Sequence, residues 1–321
     1  MEKSGIRPLN QKADLLAIAD LIELCFSDHM DSEGREYINY LRRLAKNNVN
    51  KVQFDGLDVY PSTMSGYVWI DNNQLIGNLS MIPFLNNGRK LMLIANVAVH
   101  PEFRKQGIAK ALTQQALKEA YNQKMGSVWL HVRHDNNVAF HLYESLGFLK
   151  RVLRTTWQID AHNVMVSIHD PAFNVQRRSA KDWAYQRAWL QTTYPKDVTW
   201  NLPLRKNQLS PGFWNSFSRF FNDINIEHWS LHHNGSLLGT LTWEETARSY
   251  DLLWLAADPA AENEVIQHLI PYAIEQIGGQ KPLVLNYPAG QSIQSFLDTG
   301  FTKLHTLLWM EYPIQAKTMI T

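Results

Sequence analysis

The chain has 321 residues, 45% of them hydrophobic, and a formal net charge of +1. That length accommodates two domains of ordinary size, and the balanced charge gives no footing for a nucleic-acid binder. One cysteine, Cys25, excludes an intrachain disulfide, no apolar run is long enough to span a bilayer, and the first residues lack the apolar core of a signal segment. The expectation is a cytoplasmic protein with neither a membrane nor a nucleic-acid partner.

Residues 6–9 read as a short strand. A helix follows over 13–26, where Leu15, Ile18, Ile22, Cys25 and Phe26 recur at helical spacing. Cys25 falls in that stripe and reads as a small buried residue. Residues 35–46 predict a second helix. Strands over 66–70 and 75–83 meet at the turn Asp71-Asn72-Asn73, and a second turn, Asn86-Asn87-Gly88, leads into a strand over 91–99. Then come a helix over 110–124, a strand over 128–132, a helix over 137–146 stopped by Gly147, and a strand over 152–159. Antiparallel hairpins come first and strand-helix-strand units follow. The fold class is therefore mixed α/β, of α+β type, with one parallel strand pair around the helix that starts near Ala109.

The second half repeats this order. Strands over 229–233 and 237–243 flank Asn234-Gly235, a strand over 252–257 ends at Asp258-Pro259, and a helix runs over 262–277. A strand over 283–287, a helix over 292–298 stopped by Gly300, and a strand over 306–312 complete it. Leu75-Ile76-Gly77 lines up with Leu237-Leu238-Gly239, Leu146-Gly147-Phe148 with Thr299-Gly300-Phe301, and Trp157 with Trp309. Two copies of one fold account for this, with domains at 1–160 and 161–321 joined across 160–174. Nine of the 11 tryptophans lie at or beyond Trp157 and read as core of the second copy.

The most informative stretch is Val97-Ala98-Val99-His100-Pro101-Glu102-Phe103-Arg104-Lys105-Gln106-Gly107-Ile108-Ala109. A strand, a basic glycine-containing loop and a helix start follow one another, which aims free backbone N–H groups at one spot and suits an anion. Neither common nucleotide loop occurs. The corresponding stretch of the second copy, Ala260-Ala261-Glu262-Asn263-Glu264, has two carboxylates and no basic residue or glycine. Carboxylates there repel a phosphate, so the second copy is expected to be degenerate.

The loop resembles that of the GNAT superfamily of N-acetyltransferases, whose pattern Arg/Gln-x-x-Gly-x-Gly/Ala stands here as Arg104-Lys105-Gln106-Gly107-Ile108-Ala109. The family's downstream motif is also present: Asn136-Asn137-Val138-Ala139, then Leu142-Tyr143-Glu144-Ser145-Leu146-Gly147-Phe148. The resemblance implies acetyl-CoA as cosubstrate, its pyrophosphate cradled by residues Arg104 to Ala109 with charge from Lys105 and Lys110. It implies main-chain pairing of the pantetheine arm along Val97, Ala98 and Val99, in the gap where this strand splays from the next, and contacts from Asn136 and Ala139. For Lys105 and Lys110, a merely solvated face is the alternative.

Tyr143 is the candidate general acid, because a phenol can protonate a departing thiolate and the family often has tyrosine at this place. His131 is the candidate base, as an amine acceptor must lose a proton before attack. A core histidine bonded to a carbonyl, or a base role taken by a chain of waters, is the alternative. His131 and His134 sit three apart on a strand, and no metal is expected. The reading is an acetyl-CoA-dependent N-acetyltransferase acting by direct attack on a small-molecule or peptide amine. The alternative is a non-catalytic acyl-CoA-sensing protein. The early helices and loops around 26–57 and the second domain are expected to shape the acceptor pocket.

Overall fold

The computed structural model describes residues 4–47, 65–160, 170–204, 206–211, 225–279 and 281–314. Residues 161–169 of the expected junction and 48–57 of the expected acceptor segment lie outside the described residues. The chain divides into two compact units, one of Met1–Val152 with Leu307–Thr321 and one of Leu153–Thr306.

The first unit holds β1 (Gly5–Pro8), α1 (Gln11–Phe26), α2 (Ser32–Asn47), β2 (Ser65–Asp71), β3 (Gln74–Asn86), β4 (Arg89–Val99), α3 (Ile108–Asn122), β5 (Ser127–Arg133), α4 (Asn137–Ser145) and the start of β6 (Leu149–Ile159). Its sheet runs β1-β2-β3-β4-β5, followed by the chain's final strand, Thr302–Pro313. The β4/β5 pair is parallel and the others are antiparallel. The hairpin tips are two-residue turns with positive φ at both central positions, 47° and 64° at Asn72 and Asn73, and 48° and 79° at Asn87 and Gly88. Such turns match the twist of the flanking strands. Each face of the sheet has its own core. Leu112, Ala116 and Ala120 of α3 cover Leu79, Met81 and Leu130. Leu15, Ile18 and Ile22 of α1, with Leu41 of α2, cover Val68 and Ile70. Arg7 binds Asp14 through both guanidinium nitrogens, at 2.7 and 2.8 Å, and ties β1 to α1.

The second unit holds the rest of β6, then β7 (Phe173–Arg177), α5 (Trp183–Thr193), α6 (Lys196–Thr199), β8 (Ile226–His233), β9 (Ser236–Glu244), β10 (Asp251–Ala257), α7 (Glu262–Ile277), β11 (Leu283–Pro288), α8 (Ile293–Asp298) and the start of β12, the final strand already described. Its sheet runs β7-β8-β9-β10-β11-β6, and only β10/β11 is parallel. The units therefore exchange their last strands: β6 serves the second sheet, and the end of the chain serves the first. Arg154 anchors the exchanged β6. It is 1% exposed and donates to Asn286 Oδ1, Thr193 O and Asn286 O at 2.8, 2.6 and 3.1 Å. Burial lowers its pKa to about 10.

The repeat extends to detail. His100 N–H bonds Ile76 O at 2.8 Å, and Asp258 N–H bonds Leu238 O at 2.8 Å. Gly147 and Gly300 end their helices at φ 94° and 96°. Gly77 and Gly239 let a helix approach the sheet closely. A Cβ on Gly77 would stand 2.9 Å from Ile108 Cγ2, and one on Gly239 would stand 2.7 Å from Val265 Cγ2. Sequence periodicity missed β7 and α5, which lie where β1 and α1 lie in the first unit. The buried face of α5 includes Gln186, which interrupts the apolar stripe.

Overpacked cores lose about 1–3 kcal/mol. Gly77→Ala and Gly239→Ala are each expected to lower the melting temperature of the protein in a calorimetric scan. Gly88→Ala, whose Cβ would meet nothing within 4 Å, keeps only the smaller penalty of its positive φ.

Candidate active site

Two strands part in the first unit. β4 and β5 pair from Leu91–Ser127 to Ile94–Leu130 and no further, although β4 continues to Val99 and β5 to Arg133. The parallel pair of the second unit parts likewise after Leu253–Leu285, and what distinguishes the first is a bulge in β4, absent from the continuous β9/β10 register. The β3/β4 register passes from Ser80–Ala95 to Asn78–Ala98, so Asn96 and Val97 together face Leu79. Asn96 takes the left-handed conformation, φ 52°, which asparagine tolerates better than most residues. An extra residue bends the bulged strand. Buried Asn78 and half-buried Asn96 and Tyr37 hold it there: Asn78 Nδ2 donates to Asn96 O at 2.9 Å, and Asn96 Nδ2 donates to Tyr37 Oη of α2 at 2.9 Å. Burial pushes the Tyr37 phenol up to about 12, keeping it neutral.

The main chain past the bulge faces the gap. Because His100 N–H is bonded to Ile76 O, the antiparallel pattern turns the N–H and C=O of Val99 away from β3. Val99 O accepts from Arg104 Nε at 3.2 Å and from Cys25 Sγ at 3.3 Å. Cys25 is thus half-buried at the gap with its thiol engaged, a departure from the small buried residue expected of the α1 stripe.

The expected anion loop lies at the end of β4. Lys105 and Gly107 are both left-handed, at φ 63° and 80°. Alternation of this kind makes a concave nest of N–H groups. Gly107 caps α3 without any side-chain hydrogen bond, so the first-turn amides of Ile108, Ala109 and Lys110 point out of the helix end. Arg104, Lys105, Gln106 and Lys110 are exposed around it, and Ile108 is buried against the sheet. In the second unit the matching helix start is filled. Glu262 of α7 accepts from Tyr287 Oη and, at 2.7 Å, from Ser292 Oγ.

Side chains approach the gap from both faces of the sheet. Val128, Leu130 and Val132 of β5 belong to the α3 core, so alternation puts His131 on the opposite face with α1 and α2. His131 pairs with Trp309 of β12 and stacks on its indole, 4.1 Å between centroids and 29° between planes. Tyr143 of α4 lies in the α3 core, 6% exposed, and desolvation raises its pKa so that the phenol stays protonated at neutral pH. Asn136 is the N-cap of α4, its Oδ1 accepting from Ala139 N–H at 3.0 Å. That capping role was not anticipated from the sequence, though Asn three residues before a helical amide is its signal. It leaves the Nδ2 amide for a ligand. In the second unit the place of His131 falls to Asn286: Leu285 ends the β10/β11 pairing and pairs with Trp157, as Leu130 ends β4/β5 and pairs with Met310. Trp157 therefore matches Met310 and not Trp309 as the sequence suggested. Phe296 stands where Tyr143 does, five residues before the Phe of the Gly-Phe pair.

The parted strands, the nest and the helix start lie together at the end of β4. Residues 18–148 match the acetyltransferase (GNAT) family. Among curated relatives, the ribosomal protein bS18-alanine N-acetyltransferase of Escherichia coli is 37% identical over 62 residues, 19% of this chain and 42% of that protein. An N-alpha-acetyltransferase of Sulfurisphaera tokodaii is 37% identical over 93 residues, 28% of this chain and 53% of that protein. The chain thus spans about half the length of these relatives, or less. Two solved structures share the fold over both units. A tandem GNAT protein from the clavulanic acid biosynthesis pathway superposes with a TM-score of 0.53 at 14% identity, covering 98% of this chain and 100% of that one. A GCN5-related N-acetyltransferase from Sphaerobacter thermophilus gives 0.60 at 12% identity, covering 98% and 96%. The GNAT fold therefore holds for the chain as a whole, and the family match lies in the first unit.

Removing an N-cap side chain costs about 1 kcal/mol. Asn136→Ala is expected to lower the melting temperature by frayed capping of α4, whereas Asn136→Asp keeps the accepting oxygen and melts like the wild type.

Proposed function

We propose that this protein is an acetyl-CoA-dependent N-acetyltransferase, with one working site in the first unit, that acetylates a primary amine by direct attack. The observation that carries this reading is the β4/β5 gap, which ends on an open N–H nest and has His131 on one face and Tyr143 on the other. Acetyl-CoA supplies an activated acetyl thioester. The residues present fit it. The nest from Lys105 to Ala109 offers amide donors to a pyrophosphate, and Arg104, Lys105 and Lys110 offer charge. The main chain of Val97 and Val99 offers strand-like pairing to an amide-bearing arm, Ala98 between them turning its own N–H and C=O to β3, and Asn136 Nδ2 and the α4 start beside Ala139 flank it.

His131 takes the proton that the acceptor's ammonium must shed before its nitrogen can attack. Tyr143, a protonated phenol at neutral pH, donates its phenolic proton to the departing sulfur. The two groups enter from opposite faces of the sheet, so neither competes for the other's proton. The names of the relatives, which act on alanine and N-alpha amines, support a peptide N-terminus as one acceptor class beside small amines.

The second unit is read as a degenerate copy that supports the fold or closes the acceptor pocket. Its helix start carries the Glu262 carboxylate, and Asn286 and Phe296 stand at the places of His131 and Tyr143.

Tyr143→Phe is expected to lower kcat by about 10²-fold or more, with the calorimetric Kd for acetyl-CoA unchanged. Unaltered turnover would remove Tyr143 from the mechanism. Titration calorimetry is expected to give one acetyl-CoA per chain, abolished by Gly107→Glu. Two equivalents, or one that survives this substitution, would return a site to the second unit. Tight binding without thiol release across amines and alanine-ended peptides would favour an acyl-CoA sensor instead.

A further inference from the structure

The His131–Trp309 stack joins residues 178 positions apart in sequence (309 minus 131). Trp309 lies on β12, in the segment of the chain's end that belongs to the first unit. It is 3% exposed, whereas His131 is only half-buried. β12 is built firmly against β5, in register from Leu307–Arg133 to Pro313–Ser127. Further along the strand Tyr312 packs on Phe148 at 5.6 Å, and Glu311 takes Arg151 in an ion pair of 2.7 Å. The indole is thus a fixed wall, and the imidazole is the softer member of the pair.

The matching place of the second unit holds a different pair. Thr156 of β6 pairs with Asn286 and accepts from its Nδ2 at 3.3 Å, while Trp157, one position on, lies on the other face in the α7 core and stacks on Phe296, 5.1 Å between centroids. In the first unit an indole holds a titratable ring at this place. A proton acceptor is effective only when its lone pair is aimed at the proton, and the nitrogens of an imidazole lie on the ring's edge. Fixing the ring's plane therefore fixes where they point.

We propose that Trp309 is a positioning residue for the acetyl transfer: it orients the His131 imidazole, so the site of the first unit is completed by a side chain encoded at the far end of the chain. This rests on the reading of His131 as base.

The test uses the full chain with steady-state kinetics on an accepted amine and calorimetric titration of acetyl-CoA, for Trp309→Leu, Trp309→Phe and His131→Ala. Trp309→Leu is expected to lower kcat about tenfold or more, with the Kd for acetyl-CoA within twofold of wild type. Trp309→Phe, which keeps a flat ring under the imidazole, is expected to restore most of kcat. Wild-type kcat in Trp309→Leu would overturn the proposal, as would parallel losses of kcat and acetyl-CoA affinity that phenylalanine does not repair. Full activity in His131→Ala would instead overturn the assignment of the base, whatever Trp309 does.

Discussion

The parting of β4 from β5 is the constraint on which the rest of this structure depends. β4 and β5 stop pairing past Ile94 and Leu130, as β10 and β11 do past Leu253 and Leu285. What sets the first gap apart is one extra residue. Asn96 adopts a left-handed conformation, β4 bends, and the buried amide of Asn78 satisfies the carbonyl that the bend turns inward. A buried carbonyl without a donor costs about 1–3 kcal/mol, so the Asn78 bond makes the bulge tolerable. The Asn96 amide in turn reaches Tyr37 on α2. The gap is thereby braced from the helical layer as well as from the neighbouring strand.

The two units show what happens when one such scaffold carries two sets of side chains. In both, the third strand has a glycine under a helix, the parallel pair is flanked by that helix, and a Gly-Phe pair closes the short helix after it. In the first unit the helix start presents free amides behind Gly107. In the second, a carboxylate from Glu262 occupies the same place and binds a tyrosine and a serine. The element order is retained, the β4 bulge has no counterpart in the β9/β10 register, and the charge at the helix start differs. Asn286 and Phe296, at the places of His131 and Tyr143, extend the contrast, since neither side chain is ionisable.

The exchange of final strands makes this asymmetry stable. Arg154, buried without a carboxylate among its hydrogen-bond partners, holds β6 in the second sheet through three carbonyl oxygens. Removal of such a group leaves several acceptors unsatisfied. Each half of the sequence therefore depends on the other for its last strand.

Much of this was written in the sequence. The alternation of the strands, the Asn-Gly turns, the anion loop from Arg104 to Ala109, the Asn136–Ala139 motif and the internal repeat all rest on short-range patterns, and local spacing is enough to place them. β7 and α5 escaped because α5 buries a glutamine on its inner face, which breaks the apolar period that identifies a helix. The β4 bulge escaped because a left-handed asparagine inside a strand has no distinctive neighbours in sequence. What only tertiary structure decided are the long-range pairings: which final strand completes which sheet, that Trp309 lies under His131, and that Cys25 and Arg104 share the carbonyl of Val99. Periodicity fixes which face a side chain takes along its own strand. Only the folded chain fixes which strand lies beside it.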